Sequence, residues 1–321
     1  MKIEFVAFDS FGVKSSCTFI ETADCKITID PGIAMETDSF PLPFKEKLKL
    51  DFFYRNRIKK FCKSSDIVIV THYHYDHHIP KAELYKDKLL LIKDPSKNIN
   101  KSQRERASYF LKLVKNKANV KIADNKSFVF GKTKIKFSKP LWHGTLGTRL
   151  GKVIAVTVED KKERLFFSSD VDGPYIKSYV DLIVKANPTI LILDGHPTYL
   201  LGYLASFALL KKVLLNTIEI IRKTNCKLYI IDHHLLRDYR YREIYYEVYK
   251  EAKKLKKKVM TASELLNMKP KVLEAYERYG PTRWKRWQPL TFELLDKMIN
   301  KARKAGKKKV KKNRGVKKLR N

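Results

Sequence analysis

Asp66-Ile67-Val68-Ile69-Val70 runs directly into Thr71-His72-Tyr73-His74-Tyr75-Asp76-His77-His78, and the reading of the chain turns on this junction. The first part is apolar, β-branched and without alternation, the pattern of a strand covered on both faces. The second places four histidines within seven residues (72–78), in a chain with only eight histidines among 321 residues. In extended backbone, residues two apart point the same way, so His72 and His74 can grip one ion from the same side. Asp76 and His77 follow where the chain has to turn, and could reach a second ion. Imidazole and carboxylate together suit a borderline divalent metal, zinc above all.

The same arrangement recurs farther along. Ile231-Asp232-His233-His234 follows a predicted strand at Leu228–Ile231, and His143, in Pro140-Leu141-Trp142-His143-Gly144, comes after one at Lys134–Phe137. Strand ends are rigid platforms, so side chains carried by several of them can converge on one point. Asp194 and Asp232 also end strands, and either turn inward or cap turns.

Around these points the chain reads as strands with tight turns (Ile3–Phe8, Cys17–Glu21, Lys26–Asp30), then a basic, aromatic helix at Phe52–Lys63. A buried strand at Leu89–Ile92 and a helix at Asn100–Lys115 follow, then short strands near Val120–Ala123, Ser127–Phe130 and Lys134–Phe137. Val153–Val158 and Arg164–Phe167 read as a hairpin about Glu159–Glu163. Helices at Tyr175–Lys185, Tyr203–Arg222 and Arg240–Leu255 then alternate with strands at Ile190–Leu193 and Leu228–Ile231. The expectation is one α/β domain over residues 1–270, a helical appendix over 271–300, and a basic tail over 301–321. That tail holds twelve Lys/Arg and no acid, and is expected to lack order in isolation.

Composition bounds the rest. Hydrophobic residues make up 44%, which excludes a wholly disordered chain, and four scattered cysteines exclude a disulfide scaffold. The N-terminus lacks an export signal, and the apolar stretch Tyr199–Leu215 is broken by Lys211 and Lys212, so a cytoplasmic protein is expected. The net charge of +34, of which +22 belongs to residues 1–300, points to an anionic partner such as nucleic acid. Arg283-Trp284-Lys285-Arg286-Trp287 alternates cations with rings that either stack on unpaired bases or pack on their own domain.

Taken together, Thr71–His78 resembles the signature of the metallo-β-lactamase superfamily, and the other elements stand in that superfamily's order. Asp30 in Ile27-Thr28-Ile29-Asp30-Pro31-Gly32 looks like its first motif, and His143 like its third-motif histidine. Asp170 in Ser168-Ser169-Asp170-Val171-Asp172 resembles the aspartate between two metals, and Asp232-His233-His234 the final histidine. More narrowly, the chain resembles an uncharacterised archaeal family (a UPF family) of predicted metal-dependent hydrolases. The resemblance implies an αββα sandwich with two divalent ions at one edge of its sheets, zinc foremost and Mn2+ or Fe2+ as alternatives. His72, His74 and His143 would hold one ion, Asp76, His77 and His233 the other, with Asp170 between them and Asp30 orienting a ligand imidazole. His233 is preferred because it follows its strand as His72 follows Thr71; His234 stays open, as does Asp172 in place of Asp170.

Two ions roughly 3.5–4 Å apart would share a water and lower its pKa, giving a bridging hydroxide, with Asp76 taking or relaying the proton. Hydrolysis of a phosphodiester or nucleic acid is the expected reaction. The alternatives are carboxyl-ester, thioester or lactone hydrolysis, or a nucleic-acid-binding protein with a structural or degenerate metal site. His78 is expected to support the site, and His196 to be a surface-loop histidine with substrate binding as its sharper role. Arg237 is expected to pair with Asp238, with an anionic substrate group as its alternative partner.

Overall fold

The computed structural model describes residues 1–280 and 288–304. The Arg283–Trp287 segment and the tail beyond residue 304 lie outside the described residues.

Six strands form the first sheet in chain order: β1 (Lys2–Phe8), β2 (Ser16–Glu21), β3 (Lys26–Ile29), β4 (Ile67–Val70), β5 (Leu89–Ile92) and β6 (Asn119–Ile122). The first three are antiparallel, joined by short turns; β3 to β6 are parallel. Parallel neighbours need long crossovers, and helices α1 (Phe44–Ser64) and α2 (Lys101–Val114) occupy those before β4 and β6. Asn100 caps α2 by accepting from the Gln103 amide.

The second sheet contains β7 (Ser127–Phe130) and β8 (Thr133–Phe137), while β9 (Leu141–Trp142) and β10 (Lys152–Val153) form a separate ribbon. It continues through β11 (Val156–Asp160), β12 (Glu163–Phe167), β13 (Ile190–Asp194), β14 (Leu228–Asp232) and β15 (Lys258–Met260). The order is β15-β14-β13-β12-β11-β8-β7, with β12 to β15 parallel. Helices α3 (Lys177–Ala186), α4 (Phe207–Lys223), and α5 (Tyr241–Ile244) with α6 (Tyr246–Lys254) fill the crossovers; α7 (Ala262–Leu265) and α8 (Lys271–Tyr279) follow β15.

Side-chain alternation along the strands produces the layering. Leu165, Phe167, Ile192 and Ile230 turn toward the first sheet, in one cluster with Ile20, Ile27 and Val68. Phe166, Leu191, Leu193, Tyr229 and Ile231 face the other way, against Val180 and Ile183 of α3 and Leu210 and Val213 of α4. Tyr54 and Ile58 of α1 and Phe110 of α2 cover the first sheet. The result is the αββα sandwich expected. Val272 and Ala275 of α8, with Leu295 and Ile299, also enter the second cluster.

Several boundaries differ from the sequence reading. The first helix starts at Phe44 rather than Phe52, immediately after Pro43. The fourth begins at Phe207 rather than Tyr203, because Ser206 caps it at the Leu209 amide. The expected helix Arg240–Leu255 is broken at Tyr245, where ψ opens to 17°. The strand expected at Val153–Val158 is also divided: the Ile154 amide turns away to bond the Thr71 carbonyl of the other sheet.

The ends of β3, β4, β12, β13 and β14 supply Asp30, the Thr71–His78 segment, Ser168–Asp170, Asp194 and Asp232-His233. Parallel strands pointing one way gather these polar residues at one edge. Gly32 makes the approach possible. A Cβ there would lie 2.1 Å from the His77 nitrogen and 2.2 Å from the His78 nitrogen. Gly32→Ala is therefore expected to force the Pro31-Gly32 turn off the histidine segment, with loss of folded yield and bound metal. A variant that unfolds and binds metal like the parent would refute this packing.

Candidate metal centre

Asp170 Oδ2 stands at the middle of the site. It lies 3.0 Å from His77 Nε2, 3.3 Å from His143 Nε2, 3.3 Å from His233 Nε2 and 3.5 Å from His72 Nε2. Its carrier Ser169 has φ 54°, turning the chain sharply as it leaves β12. Asp30, Asp172 and His233 share this left-handed backbone, with φ of 49°, 53° and 59°. Such conformations in non-glycine residues persist where the surroundings hold them.

The holding groups can be followed individually. Asp30 accepts from the Thr71 amide (2.8 Å) and hydroxyl (2.6 Å), tying the end of β3 to the end of β4. The Thr71 hydroxyl also meets Ser169 Oγ at 2.7 Å, which links the two sheets. The Asp30 carboxylate faces His77 Nδ1 at 2.9 Å, fixing the ring with Nε2 toward Asp170. Asp9 holds His233 in the same way, at 2.7 Å from Nδ1, and Asp194 holds His234 at 3.0 Å. Each imidazole thus presents its other nitrogen with a carboxylate behind it, the usual support of a metal-ligating histidine.

The donors form overlapping groups, among them His72, His74, His143 and Asp170; Asp76, His77 and His233; and Asp30, His72 and His77, with the candidate ligand atoms of each group within 4.8 Å of one another. His234 forms a further set with Asp170 and His233, and Asp172 one with Asp194 and His234.

Burial alone would push the His77 imidazole down, but Asp170, Asp76 and Asp30 outweigh it and raise its pKa to about 10. Burial, aided by His143, lowers His74 to about 3. Burial also raises Asp76, yet His77 and His233 hold it down at about 2.

One carboxylate oxygen cannot satisfy four imidazoles. His77 Nε2, His143 Nε2 and Asp170 Oδ1 are buried without any hydrogen-bond partner among the described residues. Orphaned buried donors and acceptors facing one another are costly unless something binds between them. Nitrogen and carboxylate oxygen in this proportion fit divalent cations of the zinc type.

The remaining candidates are placed as follows. His78 Nδ1 bonds the His74 carbonyl at 3.0 Å, bracing the ligand loop. Asp172 Oδ1 lies 3.5 Å from His234 Nδ1 and 3.8 Å from His143 Nδ1, to one side of Asp170. Asp194 turns inward to His234. Asp232 instead caps turns, accepting from the amides of Ser10, His233 and Ala262.

Two expectations are corrected. His196 is not a surface histidine: it is 3% exposed. Its loop is drawn in by Tyr245 Oη, which accepts from the His196 amide, while Nδ1 bonds the Asp172 carbonyl at 2.9 Å. Arg237 does not pair with Asp238, which binds Arg240. Arg237 Nε donates to Asp9 Oδ2 at 2.7 Å instead.

Asp9 was absent from the sequence reading. It directly follows β1 at Phe8, and its position at a strand end, shared with Asp30 and Asp170, is the signal that would have found it. Burial alone would raise its carboxyl, but Arg237 and His233 hold it well below the usual range. Asp9→Asn removes the charge behind His233 with little change of shape. Metal affinity is expected to fall roughly 10–100-fold, read by competition with a chromogenic chelator; unchanged affinity would refute the role.

No protein-family model matches the chain. It is 41% identical over 288 residues to a UPF0282 protein of Korarchaeum cryptofilum, covering 87% of this chain and 95% of that one. A UPF0282 protein of Methanopyrus kandleri is 36% identical over 291 residues, covering 86% and 97%. Among solved structures, the metallo-β-lactamase fold protein YhfI from Bacillus subtilis aligns over 77% of this chain and 88% of its own, at 17% identity and a TM-score of 0.45.

Proposed function

The chain belongs to the UPF0282 family, and we propose that it is a hydrolase working with two divalent ions, zinc foremost, held between His72, His74, His143, Asp76, His77, His233 and Asp170. The observation that carries this reading is the single oxygen, Asp170 Oδ2, within 3.5 Å of imidazoles from both the group of His72, His74 and His143 and that of Asp76, His77 and His233. A carboxylate so placed suits a bridge between neighbouring ions.

When bound, such ions supply Lewis acidity and bring the pKa of water toward neutrality. The chain's own residues do the rest. Asp30 and Asp9 fix the tautomers of His77 and His233 through Nδ1. Asp76, held ionised by His77 and His233, places Oδ2 4.0 Å from His233 Nε2 and would relay the released proton rather than keep it. The buried setting keeps these dipoles oriented before substrate arrives, so little reorganisation accompanies reaction.

The favoured substrate is a phosphodiester or another anionic ester, in keeping with the charge of +34. The test compares bis-p-nitrophenyl phosphate with thioesters and lactones, in the presence of zinc, manganese or iron, with metal content measured in parallel. Turnover of the phosphodiester that is lost in His74→Ala is the expected result. Turnover of thioesters or lactones alone would move the assignment to those classes, and no turnover of any substrate would sink the hydrolase reading.

Nucleic acid is the proposed macromolecular partner. Deleting residues 301–321 is expected to weaken binding to single-stranded RNA or DNA and to flatten its salt dependence. Superimposable isotherms for the full and shortened chains would end that proposal. Among the described residues no helix is long and apolar enough to cross a membrane.

A further inference from the structure

Arg237 ends the 3-10 turn His233–Arg237 that follows β14. With three residues per turn, side chains three apart eclipse one another, which returns Arg237 to the face carrying His234. Its Nε is committed to Asp9 Oδ2 at 2.7 Å, and the other oxygen of the same carboxylate holds His233 Nδ1 at 2.7 Å. The guanidinium and the imidazole are therefore set in register by one buried group.

The other end of the guanidinium is left over. Nη2 is buried, has no hydrogen-bond partner among the described residues, and lies 3.7 Å from Asp76 Oδ2. That distance is too long for a hydrogen bond. Tyr199 hydrogen-bonds the guanidinium elsewhere and Glu36 lies within its electrostatic reach, yet Nη2 and Glu36 Oε1 are each left unpartnered. Ion pairs with Asp9 and Asp76 balance the charge of Arg237, but they leave Nη2 without a hydrogen bond on the side of the centre where Asp76 and His233 meet. A buried donor without a partner costs free energy unless a ligand completes it. A planar guanidinium fixed at one edge suits an oxyanion at the other.

We propose that Arg237 Nη2 is an oxyanion-binding group beside the metal centre, taking a phosphoryl oxygen of the substrate while Asp9 holds the guanidinium in register with His233. The proposal rests on the hydrolase reading for its substrate, but the anion site can be measured without turnover. Asp9 becomes a positioning residue for two groups at once, and phosphate esters are preferred over neutral esters because only they offer Nη2 a charged oxygen.

The experiment titrates the metal-loaded protein with inorganic phosphate by calorimetry, using the parent, Arg237→Gln and Arg237→Lys, and measures metal content in each. Loss of a charge-assisted hydrogen bond predicts that phosphate binding weakens about tenfold or more in Arg237→Gln with its metals retained. In the same variant KM for bis-p-nitrophenyl phosphate rises by more than kcat falls. Arg237→Lys keeps a positive charge for Asp9 but lacks the fork, so it decides by the same criterion where the glutamine variant fails to fold. Unchanged phosphate affinity, or no phosphate binding by the parent, overturns the proposal. So does metal loss in both variants equal to that of Asp9→Asn, which would make Arg237 only a prop for His233. A parent that hydrolyses no ester yet binds phosphate through Arg237 would remove the hydrolase reading and leave the anion site standing.

Discussion

Asp170→Asn is expected to empty the metal centre. The substitution keeps the shape of the side chain but takes away the charge that faces His72, His77, His143 and His233 at 3.0–3.5 Å. Supporting carboxylates behind metal ligands are worth roughly 10–100-fold in affinity, so a carboxylate facing imidazoles of both donor sets directly should exceed about 100-fold. The metal-free protein should suffer as well. Burial disfavours a charged His233, and Asp170 is foremost among the groups that raise its pKa against that penalty. Breaking a buried ion pair by removing one partner costs about 3–5 kcal/mol. Elemental analysis and thermal unfolding in chelator read the two effects separately. Retention of two ions per chain in the variant would remove Asp170 from the centre of the mechanism.

Stripping the metal from the native chain should give the second large effect. A ligand that binds only the folded state at 1,000 times its Kd stabilises by about 4 kcal/mol. In a domain of this size that corresponds to about 6 °C in Tm. Prolonged chelation is expected to lower Tm by that order, and added zinc to restore it. The structural reason is the set of orphaned atoms, His77 Nε2, His143 Nε2 and Asp170 Oδ1, which without a cation remain buried and unsatisfied. An unchanged Tm after verified metal removal would mean that the cluster is satisfied in some other way.

The layered fold was legible in the sequence because the parallel strands are short apolar runs that end abruptly in polar residues. Ile67–Val70 before Thr71 and Leu228–Ile231 before Asp232 are of this kind. The placing of His72 and His233 followed from the same rule, since a strand end tells both where a side chain sits and which way it is carried; His143 instead follows β9 of the separate ribbon. What escaped reading was partnership across long separations. Arg237 has an acidic neighbour in Asp238, and proximity along the chain favours that pairing. Its actual partner, Asp9, lies 228 residues away. Asp9 escaped for the same reason, because its importance comes from His233, 224 residues distant. His196 looked like a loop residue because nothing local announces that Tyr245 draws its backbone inward. The helix before β4 was read too short because its first turns carry no apolar stripe that is buried: Phe44 and Leu48 are exposed.

The left-handed backbone at Asp30, Ser169, Asp172 and His233 has a consequence for how this protein can be altered. Each such residue costs roughly 1–3 kcal/mol against a relaxed conformation. Glycine would meet those angles without a steric penalty. At Asp30 that relief would be set against the hydrogen bonds to Thr71 and the support of His77, and at His233 against a candidate metal ligand. The strain and the contacts that hold it are thus inseparable at these positions, and stabilising substitutions compatible with function should be sought away from the strand ends.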